Sequence, residues 1–304
     1  MARLLGRTAS PDRPPELVTL HAEAQLRTGQ FSAARQLLRG VVPVLGRQGN
    51  APELRRAINM LGAAHFELGN LDDARAAFSR ALQLATEAGA DLITARATNN
   101  LGLIANSRGQ PGEALALYRL AIPAYQRVGD VRGLAETFHN MAISFRDLWQ
   151  LAEADRQEQR AMEFAREVRN ERLLAMASVG RAELSLLQGD APVAQAGALL
   201  AAERYVAIND PVGEADALRV AGSAARTRGA HHDARPLLDR AVQVARGHGS
   251  QLVEAEALRA RAELWVALGD MAAARQDVRD AAALFGRLGA VGEQAVLERW
   301  WEAR

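Results

Sequence analysis

Residues 98–122 read TNNLGLIANSRGQPGEALALYRLAI. Within this stretch Leu101-Gly102 stands eight residues before Gly109, Ala114 five residues after that glycine, and Ala121 seven further on. The spacing recurs outward in both directions. Gly29, Gly69, Gly109, Gly189, Gly229 and Gly269 differ by forty residues or a multiple of it, and only Trp149 breaks the series. Ala34, Ala74, Ala114, Ala154, Ala194, Ala234 and Ala274 keep the period without exception. Val41, Ala81, Ala121, Ala161, Ala201, Ala241 and Ala281 form a third register, and Gly49, Gly89, Gly129, Arg169, Asn209, Gly249 and Gly289 a fourth. Four registers sharing one period across seven copies, without an insertion, are the mark of a repeat architecture.

Each copy reads as two helices. In residues 51–90, Leu54, Ala57, Ile58, Leu61 and His65 fall at helical spacing and stop at Gly69-Asn70, a helix-ending glycine followed by a capping residue. Leu71, Ala74, Phe78, Ala81 and Leu82 form a second stripe that ends at Gly89. The next copy begins after a polar residue: Asn50, Asp130, Asn170, Asp210 and Ser250 are all good N-caps, and Glu53 stands at capping-box distance from Asn50. No stretch alternates like a strand. Paired helices with short turns pack antiparallel. The two alanine registers allow close approach, and Leu61, Leu101, Met141, Phe78, Tyr118 and Leu238 are the residues expected to fill the adjoining holes. One hairpin cannot bury both its faces, so the hairpins stack.

Composition narrows the chemistry. The 304 residues include no cysteine, which removes disulfides, thiolate metal sites and cysteine nucleophiles. All 37 basic residues are arginine, so neither a Schiff-base nor a phosphate-loop lysine exists. A lysine-free, arginine- and alanine-rich chain also hints at a GC-rich bacterial genome. Charge is balanced at +1, which speaks against nucleic acid or anionic lipid as the main partner. Neither a secretory apolar run nor a membrane span is present, and a cytoplasmic location is expected. No catalytic motif, cofactor-binding motif or metal-ligand spacing is found. His231-His232 is the only histidine cluster, and adjacent helical residues point about 100° apart, so the two do not share a metal. The chain reads as a non-enzyme without cofactors or metals.

The Leu-Gly pairs (Leu61-Gly62, Leu101-Gly102) and the two alanine registers resemble the tetratricopeptide repeat, in its long forty-residue form. The resemblance spans residues 11–290, and the forty-residue form is similar to that of kinesin light chains, the spindle-orientation adaptor with GoLoco motifs and the effector halves of MalT- and Rap-type regulators. It implies an all-α fold: a right-handed α-solenoid of seven antiparallel hairpins over 11–290, an N-terminal tail over 1–10 and a capping helix over 291–304. It also implies that the first helix of each hairpin lines a concave groove, at positions thirteen, ten, nine and six before the turn. These are Arg56, Asn59, Met60 and Ala63; Arg96, Asn99, Asn100 and Leu103; Glu136, His139, Asn140 and Ile143. The later copies supply Met176, Val179, Gly180 and Glu183; Asp216, Arg219, Val220 and Ser223; Glu256, Arg259, Ala260 and Glu263. The lysine and asparagine of a chaperone-type carboxylate clamp are missing.

Asparagine is a poor helix former, so Asn59, Asn99, Asn100 and Asn140 either serve a ligand backbone or bond a neighbouring helix. Arg56, Arg96 and Arg146 suit carboxylates. With His139 these residues make a candidate groove for an extended, somewhat acidic peptide or protein segment. The leading expectation is a protein-interaction scaffold. The alternative is a ligand- or peptide-sensing effector working with a separate transcriptional regulator. Trp149 either fills a gap left by Glu158, which stands where other copies hold Phe78 or Tyr118, or is an exposed anchor. Trp300 and Trp301 either cover the last repeat or offer a second interface.

Overall fold

The computed structural model describes residues 13–304; the expected tail over 1–10 lies outside the described residues. The helices in order are α1 (Pro15–Arg27), α2 (Phe31–Gln48), α3 (Ala51–Glu67), α4 (Leu71–Glu87), α5 (Asp91–Ser107), α6 (Pro111–Val128), α7 (Val131–Asp147), α8 (Leu151–Glu167), α9 (Glu171–Leu187), α10 (Ala191–Ala207), α11 (Pro211–Thr227), α12 (His231–Gly247), α13 (Gln251–Ala267), α14 (Met271–Arg287) and α15 (Val291–Glu302). Among the described residues there is no strand. Consecutive helices pack on one another, as in an α-solenoid. Two compact units divide the chain, one ending at Ala97 and one running from Thr98 to Arg304.

Both alanine registers are sealed: Ala34, Ala74, Ala114, Ala154, Ala194, Ala234 and Ala274 are fully buried, and so are Ala81, Ala121, Ala201, Ala241 and Ala281. The holes are filled unevenly. Phe78, Tyr118, Leu238 and Met141 are buried as expected, whereas Leu61 and Leu101 are only half-buried. The glycine beside each of those leucines explains the difference. A Cβ at Gly62 would lie 2.6 Å from the Phe78 ring, and one at Gly102 would lie 2.4 Å from the Tyr118 ring. The aromatic ring of the second helix presses onto bare backbone of the first, and the leucine stands aside.

Four of the five polar entry residues named from the sequence cap their helices. The side chains of Asn50, Asp130, Asn170 and Asp210 accept from the backbone N–H three residues on, and Asp190 and Asp270 do the same. Ser250 and Asn70 make no such side-chain bond. The capping box at Asn50 does not close either, because the Glu53 carboxylate turns to Arg56, whose guanidinium is the stronger donor. Turns end in left-handed backbone whether or not glycine is there: Trp149, Arg169 and Asn209 have φ of 58°, 49° and 56°. Each closes the preceding helix as the glycines do, with the next residue's N–H reaching back five residues, as Gln150 does to the Phe145 carbonyl.

Candidate functional site

Curvature follows from which helices touch. In the first unit α1 meets α3; in the second α7 meets α9, α9 meets α11 and α11 meets α13. No successive pair of even-numbered helices shows comparable contact among the described residues. The odd-numbered helices are therefore the crowded inner row in each unit. The second unit bends until its own backbone meets: a Cβ on Gly292, in the first turn of α15, would lie 3.4 Å from the Cα of Gly109, in the turn after α5.

In the first unit Arg56 is engaged internally, donating to Glu23 of α1 and lying 3.2 Å from Glu53. Asn59 is buried, and its side-chain oxygen accepts no hydrogen bond. Arg96 is exposed on α5.

In the second unit the asparagines bond neighbouring helices. Asn99 Oδ1 lies 3.1 Å from the Thr137 hydroxyl and accepts from Asn140 Nδ2 at 3.4 Å, joining α5 to α7. Asn106, outside the expected set, repeats the device by accepting from Ser144 at 2.8 Å. Asn100 is half-buried. This is the neighbour-bonding alternative for Asn99 and Asn140, two of the four expected asparagines.

His139 belongs to a buried pair. Its Nδ1 lies 2.9 Å from Glu158, which is 1% exposed at the position other copies fill with an aromatic ring. Gly180 makes the room, since a Cβ there would lie 2.0 Å from a Glu158 oxygen. Burial pulls the imidazole pKa down, but the carboxylates of Glu158 and Glu183 outweigh it, and the net direction is up. Burial also raises Glu158, against the pull of His139. The space opened by losing the ring is thus taken by a polar pair. Trp149 does not fill it: the indole is 71% exposed. Trp300 and Trp301 pack, half-buried, against the cluster containing Leu258, Phe285 and Leu297.

A ladder of charge that the candidate set largely missed runs along the same inner row. Arg146 of α7 donates to Glu183 of α9, which also accepts from Arg219 of α11. Arg219 holds Asp216 at 2.6 Å and lies 3.7 Å from Glu256 of α13. Arg226 pairs with Glu263 at 2.6 Å, and Arg259 with Glu293 of α15 at 3.0 Å. Burial acts to raise Glu183, yet Arg146 and Arg219 hold its carboxyl down to about 2. Burial raises Glu256 to about 7, because Asp216, Glu293 and Glu183 add to it and Arg219 offsets only part. Burial likewise raises Asp147, Arg146 opposing and Glu293 and Glu183 reinforcing. The sequence signal was present: Glu183, Asp216, Arg219, Glu256, Arg259 and Glu263 all stand at groove positions. Glu293 lies outside those positions, and Glu158 showed only as a charged residue in the register of Phe78 and Tyr118, with nothing to point to His139 as its partner.

The tetratricopeptide-repeat family model matches residues 53–127 and 94–167. No curated protein matches the sequence. Among solved structures, the apo form of RapI is similar over 90% of this chain and 98% of its own, at 12% identity and a TM-score of 0.70. The Rap conjugation gene regulator of plasmid pLS20, in complex with the Phr* peptide, is similar over 91% of this chain and 75% of its own, at 13% identity and a TM-score of 0.73. NprR in complex with its cognate peptide NprX is similar over 96% and 84%, at 12% identity and a TM-score of 0.63. At these identities the likeness is one of fold.

Proposed function

We propose that this chain, built as an α-solenoid and matched by the tetratricopeptide-repeat model over residues 53–127 and 94–167, is a non-enzymatic scaffold whose inner helices bind a peptide or an extended protein segment. The observation that carries this reading is the inner row of each unit, within which odd-numbered helices touch and carry hydrogen-bonding and charged side chains. Arg56, Asn59, Arg96, Asn99, Asn100, His139, Asn140 and Arg146 remain the proposed contacts. The engaged ones, Asn99, Asn140 and Arg146, would exchange an internal partner for a ligand group. Similar folds solved with peptides, NprR with NprX and the pLS20 regulator with Phr*, support the ligand class. They also favour the second reading, a peptide-sensing effector that works with a regulator. We take the location to be cytoplasmic; among the described residues, no helix is long and apolar enough to cross a membrane.

The test is photo-crosslinking. A random pool of pentapeptides carrying a benzophenone is irradiated with the full chain, and labelled residues are mapped by mass spectrometry. Labels should fall on α3, α5, α7, α9, α11 and α13. Labels confined to the even-numbered helices or to the Trp149 turn would remove the inner row as the binding face.

A further inference from the structure

The second unit closes on itself at one place. Antiparallel hairpins put every odd-to-even turn on one edge of a solenoid and every even-to-odd turn on the other. Gly109 lies in the turn from α5 to α6, and Gly292 follows the turn from α14 to α15. These are opposite edges, yet a Cβ on Gly292 would lie 3.4 Å from the Gly109 Cα and 3.5 Å from its nitrogen. The helices between them, α6 to α14, therefore come round until one edge rests on the other.

The sequence marks the same spot. At the position of Gly292, helices α3 to α13 carry Pro52, Leu92, Arg132, Arg172, Val212 and Leu252, and only α15 has glycine. Glycine is a poor helix former, and its use here goes with the close approach of a second backbone. Gly109 supplies the other half of the contact. Its φ of 71° requires glycine for the turn, and its bare Cα is what α15 meets.

What the closure covers is the inner row. Arg219 of α11 is 16% exposed and Arg146 of α7 26%. The Arg259–Glu293 pair at 3.0 Å seats α15 on α13, and Leu297 is buried with Leu258 and Phe285. Among the described residues no helix follows α15, so it can move without parting the two helices of a hairpin. We infer that the Gly109–Gly292 contact is a clasp. With it shut, α15 closes the second unit around its inner row; lifting the first turn of α15 from the α5–α6 turn opens the route to Arg146 and Arg219. That a peptide is what enters rests on the groove reading above; the clasp itself does not. The contact is small, so its effect lies in access and not in stability.

The chain has no cysteine, so two introduced thiols report alone. Gln110→Cys and Val291→Cys, at exposed positions beside the contact, are labelled with pyrene in the full chain. The labelled chain should show excimer emission, which requires the two rings to touch. Gly292→Ala should keep it, because a lone Cβ meets the turn at ordinary contact distance. Gly292→Val adds γ carbons against the turn and should abolish it, and Gly292→Leu carries the same expectation should Gly292→Val fail to fold by circular dichroism. Both are better helix formers than glycine, so fraying of α15 does not explain the loss. In the unlabelled chains, phenylglyoxal modification of Arg219 is followed by mass spectrometry against Arg156, which is 61% exposed. Gly292→Val should raise that ratio by about tenfold over wild type. The clasp is overturned by a folded, labelled parent without excimer, by excimer that survives in both bulky variants, or by Arg219 modification that does not rise when the excimer is lost. Neither readout uses a peptide, so failure of the clasp leaves the groove reading to its own crosslinking test, and failure of that test leaves the clasp.

Discussion

Glu256 shows how one side chain reports on its surroundings. Its carboxyl is raised to about 7 by burial and by the acids around it. A carboxyl that binds its proton more tightly in the folded chain stabilises the fold at low pH. That stability is complete below the ordinary carboxylate range and falls as pH climbs towards about 7. Wild type should therefore lose more melting temperature than Glu256→Gln between about pH 5 and pH 8. Parallel curves in a thermal ramp at both pH values would show that Glu256 is ionised throughout. Trp149 is the other informative residue. A bulky side chain at φ 58° costs on the order of 1–2 kcal/mol relative to glycine, yet the indole gains little burial there. Little burial offsets the strain, and the surface around Leu148 and Trp149 stays a secondary-interface proposal.

At the scale of elements, packing between first and second helices depends on bare backbone opposite a large side chain. Where Phe78 and Tyr118 press on Gly62 and Gly102, the contact lies within one hairpin; at Glu158 it moves to Gly180 of the following helix pair. Ala142 stands where Gly62 and Gly102 stand in their copies, so the residue after Gln157 cannot be a ring seated in the usual way. Gly180→Ala should drive the Glu158 carboxylate away from His139 and leave a buried charge without its partner. The expected cost is about 3–5 kcal/mol in denaturant unfolding. Gly197→Ala is the matched control, because its Cβ meets only Ala182 at 3.7 Å; it should be neutral or stabilising by about 0.5–1 kcal/mol. Equal losses for the two variants would mean that helix propensity, not the His139–Glu158 pair, governs the site.

At the scale of the whole molecule, stability is a sum over neighbouring repeats and not the property of one core. Leu297 of α15 is fully buried in a cluster with Leu258 and Phe285. Leu297→Ala should cost about 2–5 kcal/mol locally. Hydrogen exchange should quicken in α13, α14 and α15, while protection elsewhere is unchanged. Acceleration spread uniformly over the chain would mean one cooperative unit and defeat the nearest-neighbour picture.

Much of this protein is legible from period alone. Forty-residue spacing of Gly109, Ala114 and Ala121 suffices for helix pairs, their boundaries and the buried alanine faces, because these depend on local periodicity and on residues near in sequence. Capping by Asp130 and Asp210 is readable for the same reason, and Ser250 shows its limit, since a competent cap residue need not bond. The candidate site is legible only in part. Residue type marked Arg146 and Asn140 as polar groove positions, but whether each is free or spent depends on residues about one repeat away: Glu183 for Arg146 and Asn99 for Asn140. Tertiary structure alone decided that Glu158 takes His139 as its partner and that Glu293 joins the inner row. Curvature brings these groups together, and curvature accumulates from small rotations between hairpins that no single repeat encodes.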